Sequence, residues 1–142
     1  MTPHRLVRTA TLDIALEESG PPDGPPAILL HGFPFSPRGY DAVVPLLAAA
    51  GMRVLVPYLR GYGPTRFRHA ETLRSGQQAA LGKDLLDLLD ALAIPRATLA
   101  GYDWGGRAAA DWAARLAAGA RFDPAAGELV AVAAVLDRVY GR

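Results

Sequence analysis

The 142-residue chain contains no cysteine, so neither a disulfide framework nor a thiolate metal site can be built from it. That absence is compatible with a reducing compartment. An excess of charge of one sign is also lacking, with 15 Lys and Arg against 14 Asp and Glu and a formal net charge of +1. The densest basic stretch, Arg66-Phe67-Arg68-His69, is too short to serve as a nucleic-acid stripe. Long apolar runs are missing too: Leu129 to Leu136 is the most continuous and falls far short of a bilayer span, and Met1 to Arg8 has no apolar core of the kind a signal peptide carries. Together these absences predict a soluble, cytoplasmic protein with no nucleic-acid or membrane partner. Histidine is scarce, with only His4, His31 and His69, so the chain after residue 69 has none.

What is present is an apolar composition, 51% hydrophobic, arranged in alternating short runs and longer periodic segments. Leu6-Val7-Arg8-Thr9 and Thr11 to Leu16 read as an antiparallel strand pair, and the Gly- and Pro-rich stretch 20–26 breaks the chain after them. The runs Ala27-Ile28-Leu29-Leu30, Arg53-Val54-Leu55-Val56 and Ala97-Thr98-Leu99-Ala100 read as buried strands. A helix is predicted over 40–50, with Gly51 as its natural C′ residue, and Pro57 is expected to end the strand at 53–56. Ser75-Gly76-Gln77-Gln78 reads as a capping box, Ser at N-cap and Gln at N3, opening a helix whose stripe Leu81, Leu85, Leu88, Leu89 and Leu92 predicts packing against a sheet. A last helix is predicted over 107–116. The pattern predicts an α/β fold, mostly parallel sheet flanked by helices, with an N-terminal antiparallel pair.

Two segments carry chemistry. Gly101-Tyr102-Asp103-Trp104-Gly105-Gly106 follows a buried strand and precedes a helix, which is the context of a nucleophile elbow, here with aspartate in place of serine. Gly101 and Gly105 stand where a Cβ would crowd the sharp turn, and Gly106 lets the helix pack close to the sheet. An acidic nucleophile points to attack on an alkyl carbon. The second segment, His31-Gly32-Phe33-Pro34, follows strand 27–30 and belongs at an oxyanion site, with backbone N–H groups of Phe33 and Trp104 as the two donors.

With both motifs in register, residues 5 to 116 resemble the N-terminal portion of the α/β-hydrolase superfamily, and specifically its aspartate-nucleophile branch of epoxide hydrolases and haloalkane dehalogenases. The wording His-Gly-Phe-Pro with Asp-Trp-Gly-Gly leans toward epoxide hydrolases. Trp104 also fits a dehalogenase, in which that residue's indole N–H meets the departing halide; a packing role beside the elbow is the alternative. The resemblance implies a small hydrophobic epoxide or haloalkane substrate, attack by Asp103 to form an ester, and hydrolysis of that ester by histidine-activated water, with no metal or organic cofactor. His31 would hold the shape of its loop, and the loop Tyr58-Leu59-Arg60-Gly61-Tyr62-Gly63-Pro64-Thr65 would shape the fold beneath the site; it lacks the Gly-Lys-Ser/Thr ending of a phosphate cradle.

Length then sets the expectation. Only 39 residues follow Asp103, whereas the remaining strands, lid, acid and histidine of such a hydrolase take about 150, the size of an ordinary domain. The reading is therefore a truncated α/β-hydrolase fold over 1–118, lid and C-terminal strands absent, followed by an atypical tail, 119–142. In that tail Leu129, Val132, Ala133, Leu136, Val139 and Tyr140 fall at helical spacing. None of the three histidines is a convincing base: His4 is expected to be solvated and His69 to sit in an exposed loop. Asp123, Glu128 and Asp137 would have no histidine to orient. Two functional readings follow: an epoxide-hydrolase-like protein unable to turn over alone unless a completing chain supplies the base, or a non-catalytic fragment or interaction module that self-associates, as a homodimer for instance, through an open sheet edge.

Overall fold

A computed structural model describes residues 3–117, with side chains through residue 110. The readings for 119–142, including Asp123, Glu128, Asp137 and the apolar segment 129–140, lie outside the described residues. The elements run β1 (Arg5–Arg8), β2 (Leu12–Ser19), β3 (Pro26–Leu30), a 3-10 turn (Pro37–Tyr40), α1 (Val44–Ala49), β4 (Arg53–Pro57), β5 (Arg66–Phe67), α2 (Gln78–Ala91), β6 (Thr98–Gly101) and α3 (Trp104–Ala117). The sheet order is β1-β2-β4-β3-β6, with β5 added against β2. The sheet is mixed. β3 pairs in parallel with β4 (Ala27 opposite Val54) and with β6 (Leu30 opposite Gly101), while β1, β4 and β5 all run antiparallel to β2.

The continuous apolar runs of β3, β4 and β6 are explained by burial on both faces, since successive side chains of a strand point to opposite sides. Ile28, Leu30, Leu55 and Leu99 join one cluster with Leu81, Leu85, Leu88 and Leu89 of α2 and Ala108 of α3. Leu29, Val54, Val56 and Ala100 join the other with Tyr40 and Val43. The predicted leucine stripe thus packs as expected, Leu92 being half-buried at its end. Among the described residues, no helix is long and apolar enough to cross a membrane.

Several boundaries differ from those expected. Of the helix predicted over 40–50, only Val44–Ala49 is α-helical; Tyr40 ends a 3-10 turn that begins at Pro37, 41–43 form a turn, and Pro45, which lacks an N–H, stands in the first turn of α1. Ser75 does not cap α2. Its Oγ accepts from the Gln77 N–H at 3.2 Å, its carbonyl is taken by the Arg60 guanidinium at 2.7 Å, and the helix starts three residues later with Gln77 at N-cap and no side-chain cap bond. The side-chain amide of Gln78 donates instead to the Arg107 carbonyl. β2 runs on past Leu16 through Glu17, Glu18 and Ser19, which pair with Val56, Leu55 and Val54. β5 falls within a stretch expected to be loop, and α3 begins at Trp104 rather than Arg107.

Candidate active site

β6 ends at Gly101, and one residue later the chain turns. Asp103 takes a φ of +51°, in the left-handed region that a side chain rarely adopts, and α3 starts at the next residue. The turn is closed by the Gly105 N–H on the Tyr102 carbonyl and the Arg107 N–H on the Asp103 carbonyl, both at 3.0 Å. So tight a strand-to-helix reversal leaves no room for side chains beneath it. A Cβ on Gly105 would lie 2.0 Å from the Leu30 carbonyl oxygen, and one on Gly101 would lie 2.6 Å from the Gly105 carbonyl carbon. Gly106 is less confined, its nearest neighbour being the Gly101 oxygen at 3.3 Å.

The neighbouring loop from β3 crosses beside this turn. A Cβ on Gly32 would sit 2.6 Å from the Asp103 Cβ, so only glycine lets the loop pass, and the next residue, Phe33, donates its N–H to Asp103 Oδ1 at 2.8 Å. The N–H groups of Phe33, first, and of Trp104 hold the Asp103 carboxyl below the usual aspartate range, with burial opposing and Arg107 assisting. Asp103 is exposed, and beside it Phe33 is 64% exposed, followed by exposed Pro34 and Phe35. The arrangement is an ionised carboxylate, oriented by backbone donors, beside an apolar surface.

The family model described as alpha/beta hydrolase fold matches residues 25–134, a stretch holding both the Phe33 loop and the Asp103 turn. The chain belongs to the α/β-hydrolase family. Within that family its likeness is to epoxide hydrolases. Epoxide hydrolase A of Mycobacterium tuberculosis is 39% identical over 101 residues, which cover 71% of this chain and 31% of that protein. A haloalkane dehalogenase of Mycobacterium marinum is 39% identical over 98 residues, 62% of this chain and 29% of its own. The crystal structure of epoxide hydrolase A from Mycobacterium thermoresistibile superposes with a TM-score of 0.70 at 31% identity, covering 80% of this chain and 35% of that one. This α/β-hydrolase chain therefore spans about a third of the length of the relatives it matches.

The remaining motif residues of the hydrolase fall around the same turn. His31 is fully buried; its Nε2 accepts from the Leu59 N–H at 3.1 Å, its Nδ1 lies 3.2 Å from the Gly32 carbonyl, and its ring packs edge-on against Tyr62. Burial pushes its pKa down, so it stays neutral. The Trp104 ring is half-buried, packs against the main core and lies under the Arg107 guanidinium. His69 is exposed near Glu71, as expected. His4 is not solvated as the sequence predicts but half-buried, edge-on to Tyr58, because the register sets Arg5 opposite Leu16 and Leu16 opposite Pro57, which brings the ends of β1 and β4 near each other.

Sequence reading missed two groups near this site. Tyr62, edge-on to His31, has its hydroxyl pKa raised by burial and then by the Asp103 carboxylate. Glu17, Arg38 and Tyr58 meet at the base of the Phe33 loop. The two glycines flanking Tyr62 mark its loop, but no local signal announces either meeting.

Proposed function

We propose that this α/β-hydrolase carries the nucleophilic step of an epoxide-hydrolase-like reaction. An Asp103 carboxylate oxygen attacks an epoxide carbon, the carbon–oxygen bond of the ring breaks, and the ring oxygen leaves with the electron pair and takes a proton from water, giving a hydroxyalkyl ester. On a haloalkane the same attack would expel halide. Hydrolysis would follow at the ester carbonyl, where the Phe33 and Trp104 N–H groups face the developing oxyanion. The observation that carries this reading is the 2.8 Å Phe33 N–H bond to an exposed, ionised Asp103 at a strained turn.

The second step needs a base. Both ring nitrogens of His31 are occupied, and His4 and His69 sit on Tyr58 and beside Glu71. In the 142-residue chain the ester is therefore proposed to accumulate unless a completing chain supplies a histidine. The proposed reaction calls for no metal or organic cofactor.

Intact-mass spectrometry after incubation with a small epoxide, and separately a haloalkane, tests this. The native chain should gain the full mass of the epoxide, and Asp103→Asn should gain nothing. No adduct on a folded sample would sink the reading, and turnover without accumulation would show that a base is present. One observation favours the alternative of a self-associating module without chemistry: among the described residues, β6 pairs only with β3. A concentration-dependent dimer in sedimentation velocity, with no adduct, is its signature.

A further inference from the structure

Above the loop that carries the Phe33 N–H, Phe33, Pro34 and Phe35 are all exposed, Phe35 meeting Tyr102 edge-on. The polar anchors of the loop lie beneath. His31 is tied to Leu59, and the Tyr40 hydroxyl donates to the Leu30 carbonyl at 2.9 Å. The third anchor is ionic. Arg38 donates from Nη2 to Oε2 of Glu17, and the other Glu17 oxygen accepts from the Tyr58 hydroxyl at 2.7 Å. Glu17 is 7% exposed and sits on β2 opposite Val56. A buried carboxylate is costly unless paired, and this one has its partners on the Phe33 loop and on the segment that follows β4. The reaction proposed for Asp103 does not use it.

We propose that Glu17, Arg38 and Tyr58 form a clamp that fixes the 31–40 loop against the sheet and so sets the Phe33 N–H on the Asp103 carboxylate. They are positioning residues. The outer face of Arg38 is completed by Asp41 at 3.0 Å, which keeps the guanidinium turned inward along the 3-10 turn. The clamp bears on function only if the Asp103 reading holds, but its geometry can be tested separately.

The experiment uses the full chain, with Glu17→Gln, Arg38→Met and Tyr58→Phe, and with Arg8→Ala as control, since Arg8 pairs with Asp13 on the exposed β1–β2 ribbon. Two NMR readouts are followed, the Phe33 amide proton shift and the titration of the Asp103 carboxyl, together with the rate of epoxide adduct formation. Cutting the clamp should move the Phe33 amide upfield and raise the Asp103 midpoint toward that of a free aspartate. It should also slow adduct formation roughly tenfold or more, the scale on which small misplacements act. Arg8→Ala should change none of these. Tyr58→Phe, which removes a single hydroxyl, should shift both readouts less and in the same direction, and it keeps the test open if Glu17→Gln does not fold. Native-like Phe33 and Asp103 signals in Arg38→Met and Tyr58→Phe would overturn the clamp. Shifted signals in a protein whose native form makes no adduct would uphold the clamp and reject the nucleophile.

Discussion

Asp103 holds a backbone conformation that costs an ordinary side chain roughly 1–2 kcal/mol, and the packing of Gly101 and Gly105 beneath it is what makes the cost bearable. The Trp104 N–H of this turn and the Phe33 N–H of the neighbouring loop are both aimed at the Asp103 carboxyl, and the consequence is a pH dependence of definite sign. A carboxyl held low in the folded chain stays charged to lower pH than a free aspartate. Its contribution to stability is present above the unfolded value and lost as pH falls through the folded one. The rate of Asp103-dependent adduct formation should accordingly stay level as pH is lowered through the ordinary aspartate range and drop only below it, while circular dichroism reports that the chain is folded. A break at or above the ordinary range would mean that the Phe33 and Trp104 donors do not act on this group. The turn itself was readable from residues because glycine spacing encodes it locally. Glu17, Arg38, Tyr58 and Tyr62 were not, since their meeting depends on strand register and no spacing along the chain reports it.

At the scale of elements, two helices end alike with different residues. α1 closes with Gly51 at φ +85°, its N–H on the Ala48 carbonyl and the Met52 N–H on the Leu47 carbonyl, both about 3 Å. α2 closes with the same pair of bonds, Ala93 to Asp90 and Ile94 to Leu89, but places Ala93 at φ +52°. Alanine pays there what glycine does not. Ala93→Gly should raise stability by about 1 kcal/mol, seen as a higher midpoint in thermal melting; an unchanged or lower midpoint would show that the turn is not strained in solution. Gly51 announced its helix end in the sequence, whereas Ala93, an ordinary helix former, gave no such mark. The start of α2 was misread for a related reason: Ser75 matches a capping box, yet its carbonyl is held by Arg60, a partner 15 residues away.

For the molecule as a whole, Arg60 joins separate parts of the chain. Its Nε and Nη2 meet the two carboxylate oxygens of Asp84 on α2 at 2.6 and 2.7 Å, and its Nη1 holds Ser75. Both side chains are nearly buried, and burial raises the Asp84 pKa in spite of the guanidinium. Arg60→Met leaves that carboxylate without its cation and should cost about 3 kcal/mol in urea unfolding at neutral pH. Because Asp84 can then take up a proton at a higher pH still, the loss should shrink in acid. An equal loss at both pH values would place the effect in packing. The α/β pattern was legible because period and turn residues are local properties. The mixed character of the sheet was less so, since the added pairing of β5 and the extension of β2 past Leu16 are set by partners far along the chain. That separation also orders assembly. Phe33 and Asp103 lie 70 positions apart, so their bond closes a loop whose entropy must be paid before the contact returns anything. Contacts of this span are slow to form, and the carboxylate acquires its Phe33 donor only once β3 has found β6, whereas the hairpin of β1 and β2 closes over a few residues.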